Sequence, residues 1–134
     1  MSRVSGEGRD LLPLSPAAFN ILLALSDGEE RHGYGISKEV QSRTGGDVRL
    51  GPGTLYGGIK RMISQGLIAE SGEGEAGGSA GAGHEERRRY YRITSAGRQV
   101  AAAEAQRLES LVSAARDRGL LEDLPGPGTI PEEA

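Results

Sequence analysis

Residues 51–66 read GPGTLYGGIKRMISQG, and their boundaries and spacing predict a helix. Pro52 suits a first helical turn, where its missing N–H would have had no partner. Gly66 can take the left-handed conformation that closes a helix. Between them Leu55, Ile59, Met62 and Ile63 recur at helical spacing and form one apolar stripe. The opposite face carries Thr54, Tyr56, Gly57, Lys60 and Arg61, with no acidic residue. A short helix with a buried stripe and a cationic, hydroxyl-bearing outer face is what a DNA major groove accepts. Periodicity alone fits an ordinary amphipathic helix as well, so the flanking segments decide between the two.

Upstream, Leu14-Ser15-Pro16 reads as a helix start, with Ser15 as cap and Pro16 in the first turn. The helix that follows, Ala17 to Leu25, is apolar on nearly every side, which points to a second buried face against another element or another subunit, and the small size of the domain favours the subunit contact over a wholly buried core helix. Asp27 to Glu30 is a turn. A second helix begins near His32 to Gly35 and runs to Thr44, stopped by Gly45-Gly46. Two short helices joined by a glycine-containing link, the second cationic, form a helix-turn-helix.

Downstream, Leu67 to Ser71 and Arg89 to Thr94 are strand candidates; in the second, Tyr91 and Ile93 alternate with Tyr90, Arg92 and Thr94. A two-stranded ribbon placed here is a wing. Its loop, residues 72–88, is rich in Gly, Ala, Ser and Glu, a composition that cannot pack, and a disordered tip is expected around 74–83. Arg87-Arg88-Arg89 at its base suits contact with backbone phosphates. The last helix spans Ala96 to Arg118. Its residues Ala101, Ala105, Leu108, Val112 and Ala115 make a heptad seam, widened by Val100 and Leu111, as expected of a dimerisation helix.

The fold class expected is therefore mainly α with a small two-stranded β-wing: a flexible arm at 1–11, a winged helix-turn-helix at 12–97, a dimerisation helix at 98–121 and a disordered acidic tail at 122–134. The 134 residues carry a net charge of −3, but residues 31–98 hold eleven Arg/Lys against seven Asp/Glu while the rest holds five against twelve. A basic centre steers a polyanion, because charges beyond a Debye length of about 8 Å are largely screened. The chain has no Cys and two His, which excludes thiolate zinc sites and leaves no metal cluster or nucleophile constellation; an enzyme and a cofactor are not expected. No run approaches the roughly 20 apolar residues of a membrane span, and a cytoplasmic location is expected.

With these pieces in order, the sequence resembles the PadR family of transcriptional regulators. The resemblance rests on HGYGI at 32–36 with RTGG at 43–46, GPGTLY at 51–56, GLI at 66–68, and RYYRIT at 89–94 with AGR at 96–98. It implies a homodimer built from the first and last helices and, most often, repression. A single short C-terminal helix resembles the smaller subfamily. Carried onto matched positions, it puts Tyr34, Thr54, Tyr56 and Lys60 at the DNA face and Arg88-Arg89 on phosphates. The full set of expected DNA contacts is Tyr34, Arg49, Thr54, Tyr56, Lys60, Arg61, Arg87, Arg88 and Arg89. The expected dimer interface, or ligand lining, is Phe19, Leu22, Leu23, Ala101, Ala105, Leu108, Val112 and Ala115. The partners expected are double-stranded DNA with an inverted-repeat operator, a second copy of the chain, and a small-molecule effector that releases the repressor. The alternative is a winged helix that docks another protein and does not touch DNA.

Overall fold

The computed structural model describes residues 10–73 and 89–121. The arm at 1–9, the loop tip at 74–83, Arg87, Arg88 and the tail from 122 lie outside the described residues. Among the described residues four helices and three strands follow in the order α1 (Pro16–Ala24), β1 (Arg31–His32), α2 (Gly33–Arg43), α3 (Pro52–Ser64), β2 (Ile68–Glu73), β3 (Arg89–Ile93) and α4 (Ser95–Asp117). The chain divides into two compact units, one ending at Glu104 and the other beginning at Ala105.

Local chemistry sets the helix ends. Ser15 Oγ accepts the Ala18 N–H at 3.1 Å, capping α1 ahead of Pro16. Gly66, with φ of 79°, lets the chain leave α3: its N–H reaches the Ile63 carbonyl at 3.0 Å, and the Leu67 N–H reaches that of Met62 at 2.9 Å. Thr94 caps α4, its Oγ1 accepting the Gly97 N–H at 3.0 Å while donating to the Gly66 carbonyl at 2.6 Å. One hydroxyl thus ties the end of α3 to the start of α4.

The core of the first unit is built from α1, α2, α3 and the sheet, with Ile21, Leu22, Leu25, Ile36, Val40, Leu55, Ile59 and Met62 all buried. The all-round apolar character of α1 has its reason here. Leu22 is fully enclosed in the chain's own core and offers nothing to a second copy, contrary to its assignment as an interface residue. Phe19 is half-buried against that core, and Leu23 is the α1 leucine left exposed. Ala101 and Val100, expected in the dimer seam, also lie in the chain's own core.

The sheet is antiparallel in the order β1-β3-β2. The ribbon pairs Ile68 with Ile93, Ala69 with Arg92 and Glu70 with Tyr91, and its register shifts between Glu70 and Glu73. On its other edge β3 takes a third strand that local pattern does not reveal: Arg31 pairs with Tyr91 and His32 with Tyr90. Tyr91 and Ile93 point into the core while Arg92 is exposed, as the alternation implies.

His32 serves both elements it joins. It pairs in β1, and its Nδ1 accepts the Gly35 N–H at 2.9 Å as the N-cap of α2. Its ring also meets Tyr90 edge-on, with centroids 5.5 Å apart. Replacing His32 by Ala is expected to lower stability by about 1 kcal/mol, the usual worth of a cap, and Asn should restore most of it. Urea melts of the two variants check this; equal loss in both would assign the effect to the ring contact.

In the second unit the described residues are 105–121, and none of them is buried. Leu111, Val112 and Leu120 are exposed, Leu108 and Ala115 half-buried, and Ala105 exposed.

Candidate nucleic-acid interface

Pro52 starts α3, and its buried stripe of Leu55, Ile59 and Met62 fixes which way the remaining residues face. Thr54, Gly57, Lys60 and Arg61 are exposed together on the outer side, and Ile63 is half-buried. No carboxylate lies on this helix. Gly53 and Gly57 stand on the same side, and a Cβ added at either would meet nothing within 4 Å. Nothing among the described residues requires a glycine there. Gly58 differs, since a Cβ at that position would press on Ile21 Cδ1 at 3.2 Å.

Tyr56 is placed differently from its neighbours. It is half-buried and joins the core, with its ring and hydroxyl packed against Gly33 at the start of α2. A side chain at Gly33 would overlap that ring. Tyr56 therefore links the two helices of the helix-turn-helix instead of standing free on the outer face. Tyr34, one residue beyond Gly33, is 61% exposed, and Lys38 Nζ lies 5.4 Å from its ring centroid.

Between α3 and the ribbon lies a cleft of about 490 Å³, lined by Tyr56, Gly57, Ile59, Lys60, Ile63, Glu70, Arg89 and Tyr91. The structure thus brings Gly57 and Lys60 of the outer face of α3 to one surface with the base of the ribbon. Arg89 there is held by Glu70, with Nη1 3.0 Å from Oε2, and each side chain of the pair is 41% exposed. A pair this exposed contributes little to stability. It does lower the charge that Arg89 presents to a phosphate.

The ion pairs sort the cations of the first unit. Arg31 is bound to Asp27, Arg43 to Glu39 and Arg89 to Glu70. Among the described residues of this unit Lys38, Arg49, Lys60, Arg61, Arg92 and Arg98 are exposed and have no carboxylate within ion-pair distance, and Arg98 donates to the Ser26 carbonyl at 3.2 Å. Three of these, Arg49, Lys60 and Arg61, are expected DNA contacts. Lys38, Arg92 and Arg98 are not among the expected contacts, although Lys38 stands four residues after Tyr34 on the same helix face and Arg92 takes the outward position of a readable strand alternation. Among the described residues no group of three or more His, Asp or Glu could hold a metal ion, and no helix is long and apolar enough to cross a membrane.

A helix pair with a basic second helix, followed by a ribbon whose base shares its surface, defines a winged helix-turn-helix protein. Comparison with known proteins gives the family. Residues 21–103 match the model of the transcriptional regulator PadR-like family. The chain is 35% identical over 80 residues to an uncharacterized protein X of Lysinibacillus sphaericus, a match covering 59% of this chain and 66% of that one, just under two thirds of the relative's length. Among solved structures it is similar to a transcriptional regulator from Clostridium thermocellum, Cth-833, with 26% identity, a TM-score of 0.60 and coverage of 75% of this chain and 87% of that one. It is also similar to a PadR family transcription regulator from Clostridium difficile, with 27% identity, a TM-score of 0.55 and coverage of 75% and 96%. The chain belongs to the PadR-like family of transcriptional regulators.

Proposed function

We propose that the protein is a sequence-specific, double-stranded-DNA-binding regulator that acts as a cytoplasmic homodimeric repressor and carries no catalytic activity. The observation that carries this reading is the outer face of α3, where Thr54, Lys60 and Arg61 are exposed without an acid on the helix and Lys60 lines the cleft beside the ribbon. Lys60 and Thr54 read base edges; Arg49 and Arg61 meet phosphates, with Arg87, Arg88 and Arg89 extending the contact from the wing; Tyr34 adds a hydroxyl beside them. Tyr56 holds the two helices at the angle the groove requires. Dimerisation is supported by the last turns of α4, where Leu108, Leu111, Val112 and Ala115 keep heptad spacing and none is buried within the chain. Leu23 and Phe19 offer a second apolar patch on α1.

Gly57 supplies a test specific to this reading. An alanine in a helix interior is worth roughly 1 kcal/mol over glycine, so Gly57→Ala should raise stability by up to that amount. A methyl on the face that meets the groove wall should at the same time weaken DNA binding. Thermal melts and mobility shifts of one preparation measure both. A variant that is more stable and binds a pool-selected duplex as tightly as the wild type would show that α3 does not meet DNA through this face. A wild-type chain that shifts no duplex but captures a protein partner would favour the docking module instead. Effector release is read by compound screening: a ligand that raises the melting temperature and also frees the duplex supports it.

A further inference from the structure

The turn between α2 and α3 carries a second cationic feature, set apart from the α3–ribbon cleft. A notch of about 400 Å³ is lined by Lys38, Gln41, Ser42, Gly45, Gly46 and Arg49. Its floor is a tightly closed turn. The Gly46 N–H donates to the Gln41 carbonyl at 2.8 Å and the Gly45 N–H to that of Ser42 at 3.3 Å, with positive φ at both glycines. Thr44 Oγ1 accepts the Val48 N–H at 3.0 Å and fixes the exit. The Val40, Gln41 and Ser42 carbonyls at this end are thus already satisfied, and the residues that line the notch carry side-chain donors: the Lys38 ammonium, the Arg49 guanidinium, the Gln41 amide and the Ser42 hydroxyl.

Among the described residues no carboxylate lines the notch. Glu39, the acid of α2, is taken up by Arg43 at 2.9 Å, and Asp47 is exposed outside the lining. Two cationic residues that line one notch without an acid, over a turn closed by its own hydrogen bonds, fit an anion. The space is several times larger than one phosphate group needs and is not closed over, which fits a passing strand better than an enclosed small molecule. Arg49 lies three residues before the start of α3, and Lys38 reaches over the exposed Tyr34 ring, so the notch continues the face that the DNA reading already uses.

We propose that this notch seats the sugar–phosphate backbone of the bound duplex beside the groove that α3 enters, with Lys38 and Arg49 on neighbouring phosphates and Gln41 and Ser42 as supporting donors. The inference rests on the DNA-binding reading above. It assigns Lys38, Gln41 and Ser42 a role in positioning the protein on DNA, with no share in reading sequence.

The test is a salt titration of the full chain on a labelled duplex that the wild type selects from a random-sequence pool, with a scrambled duplex alongside. Lys38→Gln and Arg49→Gln should each lower the slope of log affinity against log salt by about 0.9, and the double variant by about twice that. The preference for the selected over the scrambled duplex should stay unchanged. A wild-type slope in the folded double variant would overturn the proposal, as would a loss confined to one base position. If the double variant melts early, the two single variants carry the same test. Should the wild type bind neither duplex, the DNA reading and the notch fall together. Should it bind in a Lys60-dependent way while both notch variants keep its slope, the notch alone falls.

Discussion

Gly97→Ala is expected to destabilise the protein by about 3 kcal/mol, the upper end of what an inserted methyl does in a filled core. Gly97 is buried in the first turn of α4, and a Cβ there would run into the backbone carbonyl of Leu67 and lie 2.8 Å from Ile93 Cγ1. The obstacle is backbone, and it cannot swing aside: the Leu67 carbonyl already accepts the Thr94 N–H at 3.0 Å, and Thr94 also holds Gly66. Relief would require α4 to lift from the start of β2 and break those bonds. At roughly 4–8 °C per kcal/mol for a domain of this size, the melting temperature should fall by more than about 10 °C. A scan of Gly97→Ala beside Gly57→Ala makes the comparison internal, since the same chemical change should act in opposite directions at the two positions. A Gly97 variant that melts with the wild type would show that α4 does not seat as closely as described.

Lys60→Ala is expected to weaken binding to a selected duplex by about 1–3 kcal/mol, roughly 5- to 150-fold in affinity, if the ammonium reads a base edge. The same change should leave the melting temperature almost untouched, because Lys60 is exposed and has no ion-pair partner among the described residues. Affinity measured by fluorescence anisotropy, with a scrambled duplex as reference, separates two outcomes. Loss on the selected duplex alone marks a base contact. Equal loss on both duplexes would make Lys60 a phosphate contact, and no loss would make it an ordinary surface lysine.

Features that depend on neighbouring residues were readable in the sequence. Ser15, Pro16, Pro52 and Gly66 act within a turn of themselves, and each marks a helix end as read. The buried stripe of α3 and the alternation of Tyr91 and Ile93 follow from period alone. Features that depend on distant partners were not readable. β1 is two residues long and exists because Tyr90 and Tyr91 stand opposite it, so no local period could announce it. Leu22 looked like surplus apolar surface on α1, yet the core of the first unit needs it. Tyr56 looked like one more donor on the outer face until Gly33 took its ring. Arg89 looked free until Glu70, across the ribbon, paired with it. The basic surface was therefore legible as a composition, whereas which of its cations remain uncommitted is a property of the folded chain.

The most direct test of the central claim is hydroxyl-radical footprinting of the wild-type chain on its selected duplex. Two α3 helices entering successive major grooves should give two protected patches on one side of the duplex, about 34–36 Å apart, symmetric about the centre of an inverted repeat. A single unpaired patch would contradict the dimer, and uniform cleavage across the duplex at saturating protein would contradict the interface itself.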